Sequence, residues 1–347
     1  MFTAATNSSN SVDILLSTYN GSSFLEPQIE SLFAQSYKEW RLLVRDDGST
    51  DSTVELLEKY EAKHPDKIVL LKGSPAGSSL GPTLSFSRLL ENSTAEYSLF
   101  CDQDDVWESS KIEVTLERMQ KIEAELGEIP ILVHTDLKVV GTDLSLLSPS
   151  FWKYQNLDPT LKSLKNLLLL NNVTGSTAMV NRPLRLLAAP IPAEAVLHDW
   201  WVAIVASAFG YIGYVETPTV LYRQHGANVA GSTSYSAGYF LSRLRSLGRT
   251  TWLLRRIVAQ AAAFLALYKE KFVPMDLKMV TGFAVLLSSS RAARLGLLLK
   301  HGFKGTGLLR NAGIYLLLLS MSRAAKGASQ VASQKTAADS SEGGVQD

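Results

Sequence analysis

The sequence is short of cysteine, of net charge and of long apolar runs, and each shortage excludes something. One cysteine, Cys101, stands among 347 residues, which rules out an intramolecular disulfide framework and a cysteine-rich zinc site and suits a reducing compartment. Lys and Arg number 34 against 33 Asp and Glu. A net charge of +1 gives no general polyanion signature, so nucleic acid is not an expected partner. The opening MFTAATNSSNS has neither the basic start nor the apolar core of a secretory signal, and the expected location is the cytoplasm. The stretches WWVAIVASAFGYIGYV (200–215) and IYLLLLSM (314–321) fall below the ~18–20 apolar residues of a bilayer span and read as core. No G-x-G-x-x-G follows the first apolar run, which disfavours a Rossmann dehydrogenase.

What is present is an alternation of strand-like and helix-like segments. VDILLSTYN (12–20) is an apolar run closed by turn residues, the pattern of a strand buried on both faces. A helix follows, with Ser23 and Glu26 at capping-box spacing and Leu25, Ile29, Leu32 and Phe33 on one face. EWRLLVRDDGSTDST (39–53) repeats the scheme, with a cap expected near Ser52. Further strands are expected at KIVLLKG (67–73), EYSLFC (96–101) and ILVHTDLKVV (131–140), and a helix at KIEVTLERMQKIEAEL (111–126). Serial strand–turn–helix units imply an α/β domain with a doubly wound, mostly parallel sheet, whose ligands sit at the carboxyl ends of the strands. From about 236 the segments read as helices whose charges are almost all Arg and Lys. Core and lid helices are one reading of this C-terminal helical region; a basic amphipathic surface on anionic lipid is the other. The expected organisation is a flexible N-terminus (1–10), a catalytic domain (11–235), the helical region (236–323) and a small, polar tail (324–347) expected to be disordered.

The chemistry concentrates in FCDQDDVW (100–107), directly after a strand. Crowded carboxylates repel one another and call for a counter-cation. Strand alternation would aim Asp102 and Asp104 to one side and Gln103 and Asp105 to the other. Two carboxylates at a strand end can grip magnesium or manganese, which keeps water and substrate phosphates in its shell. The bland alternative is a solvated acidic loop capping the next helix.

The blocks VDILLSTYNGSSFLEPQIESLFAQSYKEWRLLVRDDGSTDST, FCDQDDVW, HDWW (198–201) and LYRQHGAN (221–228) resemble, in order and spacing, the inverting GT-A glycosyltransferases of family 2, and within them the bacterial rhamnosyltransferase branch. The resemblance covers about residues 11–230. It implies a nucleotide site built from Ser17, Tyr19, Asp47, Asp102 and Arg223, with Tyr19 stacking on the base, Asp47 accepting from a base N–H and Arg223 meeting the diphosphate. It implies a metal, Mg2+ or Mn2+, held by Asp102, Asp104 and His225. Asp199 would be the general base, and Thr174, Gly175, Trp200 and Trp201 would face the acceptor. A nucleotide-sugar donor such as dTDP-L-rhamnose, a lipid-linked glycan acceptor and a peripheral membrane contact are the implied partners. The sequence departs from that family at SLGPTLSFSRLL (79–90), where Leu80 and Ser85 stand in place of asparagines. Three other readings stay open, the first a family 2 transferase that takes a UDP-sugar instead. DQDDV also fits the start of haloacid-dehalogenase phosphatases, with Asp102 as nucleophile, though DDGSTD and HDWW then go unexplained. A non-catalytic scaffold that binds a nucleotide sugar is the third.

Overall fold

A computed structural model describes residues 11–225 and 247–323. The expectations for 1–10 and 324–347, the boundary near 235 and the end of the LYRQHGAN block lie outside the described residues. The chain opens with β1 (Val12–Thr18), α1 (Ser22–Phe33), β2 (Trp40–Asp46), α2 (Thr53–Lys63), β3 (Ile68–Leu70), α3 (Pro82–Asn92) and β4 (Tyr97–Asp102). There follow β5 (Val106–Trp107), α4 (Lys111–Leu126), β6 (Ile131–Val140), β7 (Leu146–Ser148), α5 (Phe151–Gln155) and α6 (Leu164–Leu167). The domain closes with β8 (Met179–Asn181), α7 (Arg182–Ala188), α8 (His198–Phe209) and β9 (Tyr211–Arg223).

The sheet runs β3-β2-β1-β4-β8-β6-β9-β5, with β7 paired to β6. The half built from β3, β2, β1 and β4 is parallel throughout, as serial strand–helix units require. Beyond β4 the sheet is mixed: β8 and β5 run antiparallel to their neighbours, while β6 and β9 pair in parallel. Apolar side chains of β1 alternate between two cores. Ile14 and Leu16 join α1, α2 and α4 on one face, while Leu15 joins α3, α7 and α8 on the other. Both faces are therefore dry, and this explains why the strands read as unbroken apolar runs.

The helix starts differ from the capping-box expectation. Gly21, not Ser23, precedes α1, and no side chain caps it. The Cα of Gly21 lies against the Gln103 side chain, so close that a Cβ would sit 2.2 Å from its Oε1. At α2, Asp51 Oδ1 rather than the Ser52 hydroxyl accepts from the Thr53 amide, at 3.0 Å.

Four helices make up the described C-terminal region: α9 (Leu247–Tyr268), α10 (Pro274–Ala284), α11 (Arg291–His301) and α12 (Leu308–Ser320). They continue the core on the α8 side of the sheet. Trp201 on α8 meets Phe264 of α9 edge to face, with ring centroids 5.7 Å apart. Polar ties reinforce this packing, for Gln260 Oε1 accepts from the Val196 amide at 2.8 Å and Arg256 donates to the Ala195 carbonyl at 2.7 Å. Among the described residues, no helix is long and apolar enough to cross a membrane.

Candidate active site

The parallel register brings three sequence blocks to one edge. Ser17 at the end of β1 lies between Arg45 of β2 and Asp102 of β4. The loops after these strands then interlock. Gln103 accepts from the Tyr19 amide at 2.8 Å and donates to the Tyr19 carbonyl at 3.0 Å, fixing the turn after β1 to the acidic loop. Tyr19 keeps its ring exposed, at 46%. In the turn after β2, Asp46 accepts from the Gly48 and Ser49 amides at 3.0 and 2.8 Å. Gly48 has φ of 93°, and a Cβ there would meet the Ser78 carbonyl oxygen at 2.0 Å, so only glycine fits.

Asp47 is buried, and both its oxygens are engaged. Oδ1 accepts from Arg45 at 2.7 Å, Ser74 at 2.9 Å and the Leu80 amide at 3.1 Å. Oδ2 accepts from the Ser79 hydroxyl at 2.6 Å and the Gly81 amide at 2.8 Å. Burial pushes this carboxyl up, but the donors from Arg45, Ser79, Leu80 and Ser74 outweigh it and hold the pKa below its usual value. The expected acceptor of a base N–H serves the segment 74–81 in this conformation. Ser17 donates to Ser85 at 2.7 Å, and Ser85 also receives Arg45 at 3.0 Å. Ser85, noted in the sequence only as a departure, is the junction between the first two blocks.

The acidic loop departs from strand alternation because β4 ends at Asp102 and the next residues turn. Asp105 is fully buried rather than turned away, and Oδ1 accepts from the Arg223 amide at 3.3 Å. Burial, then the charges of Asp104 and Asp102, push its carboxyl well up. Burial, followed by the charges of Asp104 and Asp199, raises Asp102 to about 7. A cation beside these carboxylates would offset their mutual repulsion. Asp104 Oδ2 stands 2.8 Å from His225 Nε2, a separation that two ligands of one ion can share, and the His225 ring stacks on Phe24 with centroids 4.7 Å apart. Among the described residues no group of three acidic, His or Cys side chains converges on one point. Asp104 and His225 therefore form the pair, and Asp102 does not complete a three-residue cluster as expected. One carboxylate and one imidazole fit a hard divalent ion that takes its remaining ligands from water and phosphate.

Asp199 comes from the other side of the sheet, in the first turn of α8. It is 7% exposed. Oδ2 accepts from the Gly175 amide at 2.9 Å, and Oδ1 accepts from Asn171 at 3.2 Å and from the Trp200 amide. Burial raises its carboxyl to about 7 against these donors. Its charge in turn lifts Asp102, so the two carboxyls share one electrostatic site. Gly175 is fixed by crowding, for a Cβ would lie 2.8 Å from His198 Nε2. His198 is itself held, stacked on Phe86 with centroids 3.9 Å apart and tilted against Phe100 at 4.9 Å.

Three further expected contact residues have partners within the protein. Trp201 is fully buried and donates to the Ala188 carbonyl at 3.1 Å, so it belongs to the core under α9 and cannot face an acceptor. Trp200 is 5% exposed and donates to the Leu167 carbonyl at 2.6 Å, with the same consequence. Arg223 is 5% exposed, and its guanidinium donates to the Asp104 carbonyl at 3.0 Å and the Thr142 carbonyl at 2.5 Å. It braces the acidic loop. Thr174 is half-buried beside Gly175, next to Asp199. Sequence reasoning missed Asn171, Gln103 and Ser85 as positioning residues; only contacts across 28, 84 and 68 residues reveal them.

Residues 13–140 match the family model described as "Glycosyl transferase family 2". The dTDP-rhamnosyl transferase RfbG of Shigella flexneri is 26% identical over 262 residues, which is 72% of this chain and 84% of RfbG. The UDP-Glc:alpha-D-GlcNAc-diphosphoundecaprenol beta-1,3-glucosyltransferase WfgD of Escherichia coli is 31% identical over 111 residues, 32% of this chain and less than half, 41%, of WfgD. Among solved structures, S. aureus TarS 1-349 in complex with UDP-GlcNAc superposes with a TM-score of 0.51 at 17% identity, over 84% of this chain and 73% of that one. That likeness shows the fold alone. Residues 13–140 match glycosyltransferase family 2, and the mixed α/β sheet with its loops gathered at the carboxyl edge has the GT-A fold.

Proposed function

We propose that the chain is a metal-dependent inverting glycosyltransferase that moves L-rhamnose from dTDP-L-rhamnose to a hydroxyl of a lipid-linked glycan acceptor in bacterial surface polysaccharide synthesis. It works in the cytoplasm, at the inner face of the plasma membrane. The observation that carries the reading is Asp199, a buried carboxyl raised to about 7 and electrostatically joined to the acidic loop. A base tuned close to the working pH is suited to proton abstraction. The RfbG relationship, which runs over 72% of the chain and past the family segment, supports the rhamnosyl donor.

Asp104 and His225 would hold a Mg2+ or Mn2+ ion with Asp102 beside them. When bound, the ion offsets the charge that grows on the departing nucleoside diphosphate. Tyr19 offers its exposed ring to the base, and Ser17 lines the same edge. Gly175 and Asn171 hold Asp199 in place while it takes the proton of the acceptor hydroxyl. That oxygen bonds to the anomeric carbon as the bond to the diphosphate breaks, and the configuration inverts. Asp199 returns the proton to solvent. Thr174, beside Asp199, faces the acceptor on this reading.

A UDP-sugar donor is the second reading, favoured by the local identity with WfgD. The test is release of free nucleotide from dTDP-rhamnose, UDP-glucose and GDP-mannose by the full chain with manganese and a lipid-diphosphate-linked glycan. Turnover with dTDP-rhamnose at least about tenfold above the others, abolished in Asp199→Asn, is expected. Preference for UDP-glucose would transfer the assignment to the second reading. Formation of an acid-stable aspartyl-phosphate with no transfer would sink both.

A further inference from the structure

Among the described residues, the α11–α12 hairpin carries the largest concentration of exposed leucine, and its position gives that surface a direction. Buried Arg294, near the start of α11, donates to the Leu318 carbonyl at 2.8 Å and the Met321 carbonyl at 2.7 Å, near the end of α12. The two helices therefore lie antiparallel, joined by residues 302–307. One face of the pair is tied into the core through Leu298, Phe303 and Leu318. The other face is open. Leu308, Leu309 and Leu316 on α12 are 89%, 69% and 69% exposed, and Leu299 on α11 is 67% exposed.

On α12 the exposed positions Leu309, Ala312, Gly313 and Leu316 recur at helical spacing and form one stripe. The helix holds a single charged residue, Arg310, and that side chain is buried against the Gln155 carbonyl at 2.8 Å. Water thus faces a helix surface with no charge on it. The charges that frame the stripe have one sign. From residue 277 to 323 there is no Asp or Glu, whereas Lys300, Lys304 and Arg323 are exposed at the ends of the hairpin. Single exposed leucines are ordinary, but a continuous apolar stripe on a hairpin that carries exposed cations and no acid of its own is the composition of an interfacial helix.

We propose that the α11–α12 hairpin is a docking surface for an anionic lipid bilayer, with Leu308, Leu309, Leu316 and Leu299 entering the headgroup boundary and Lys300 and Lys304 meeting lipid phosphates. Neither helix is long enough to span, so the hairpin lies in the plane of the surface. The inference gives a defined surface to the membrane contact proposed above. Vesicle binding is read without glycosyl transfer, so it can fail while the transferase reading stands, and the reverse.

The experiment is co-sedimentation of the full chain with phosphatidylcholine vesicles and with vesicles rich in phosphatidylglycerol, at low and high salt. The variants are L308E/L309E/L316E and K300E/K304E, whose side chains are all exposed, and circular dichroism checks their fold. Binding to anionic vesicles, weak binding to neutral ones and loss of about five-fold in affinity per removed cation are expected. The leucine variant should lose binding at least about 100-fold. Wild-type protein that stays in the supernatant with anionic vesicles overturns the proposal, as does a folded leucine variant that binds like wild type. If sedimentation velocity without lipid shows a wild-type dimer that the leucine variant dissociates, the face is an interface between copies and the proposal falls.

Discussion

Asp199 shows how one carboxyl can be held at two levels of description. Its helix, α8, places it in a first turn where backbone amides are unspent, and burial then outweighs those donors. Asp199→Asn should keep nucleotide binding and lower kcat by about 10²–10⁴-fold, read by titration calorimetry beside a turnover assay. The same raised pKa has a consequence for stability. A carboxyl raised to about 7 in the folded state stabilises the fold fully below its unfolded value near 3.9, and that contribution is lost as pH rises through about 7. The Asn variant should therefore melt above wild type at about pH 8, with the difference shrinking toward about pH 5; calorimetry at both values reads it. At Asp104 the expected outcome is different. Asp104→Ala should abolish the manganese dependence of nucleotide binding, because it removes half of the pair formed with His225.

Elements decide how these residues meet. β1, β2 and β4 in parallel register bring Ser17, Arg45 and Asp102 together, and the loops after them are joined by Gln103 and Ser85. Gly175 ties α8 to the segment before β8, and the stacked His198 leaves no space for a methyl group. Gly175→Ala should displace Asp199 and reduce kcat by about 10–100-fold, with little change in donor KM, in steady-state kinetics. The short elements were the least legible in the sequence. β3 keeps only three of the seven residues expected of it, and β9, thirteen residues long, went unforeseen because ETP interrupts its apolar pattern. Strand alternation failed after Asp102 because the chain turns there, and a turn has no period of two.

At the scale of the whole molecule, the helical region and the sheet share a core, and Trp201 is the residue that joins them. It is fully buried between α8 and α9, against Phe264 and Tyr268. Trp201→Ala should destabilise the chain by about 3–5 kcal/mol in denaturant unfolding and leave the acceptor KM of the folded fraction unchanged. A pH–rate profile tests the assembled site. kcat/KM should rise with pH through about 7 as Asp199 loses its proton, and that limb should vanish in Asp199→Asn. The sequence by itself determined the α/β class, the parallel first half and the order of the acidic blocks, because apolar period, turn chemistry and charge crowding are local properties of a chain. Tertiary structure alone decided that Asp104 pairs with His225, that Asp47 and Arg223 spend their hydrogen bonds on the protein's own loops, and that both tryptophans of HDWW are core. Those outcomes depend on which distant group reaches a side chain first and on how much water is left around it, and neither quantity is written in the order of the residues.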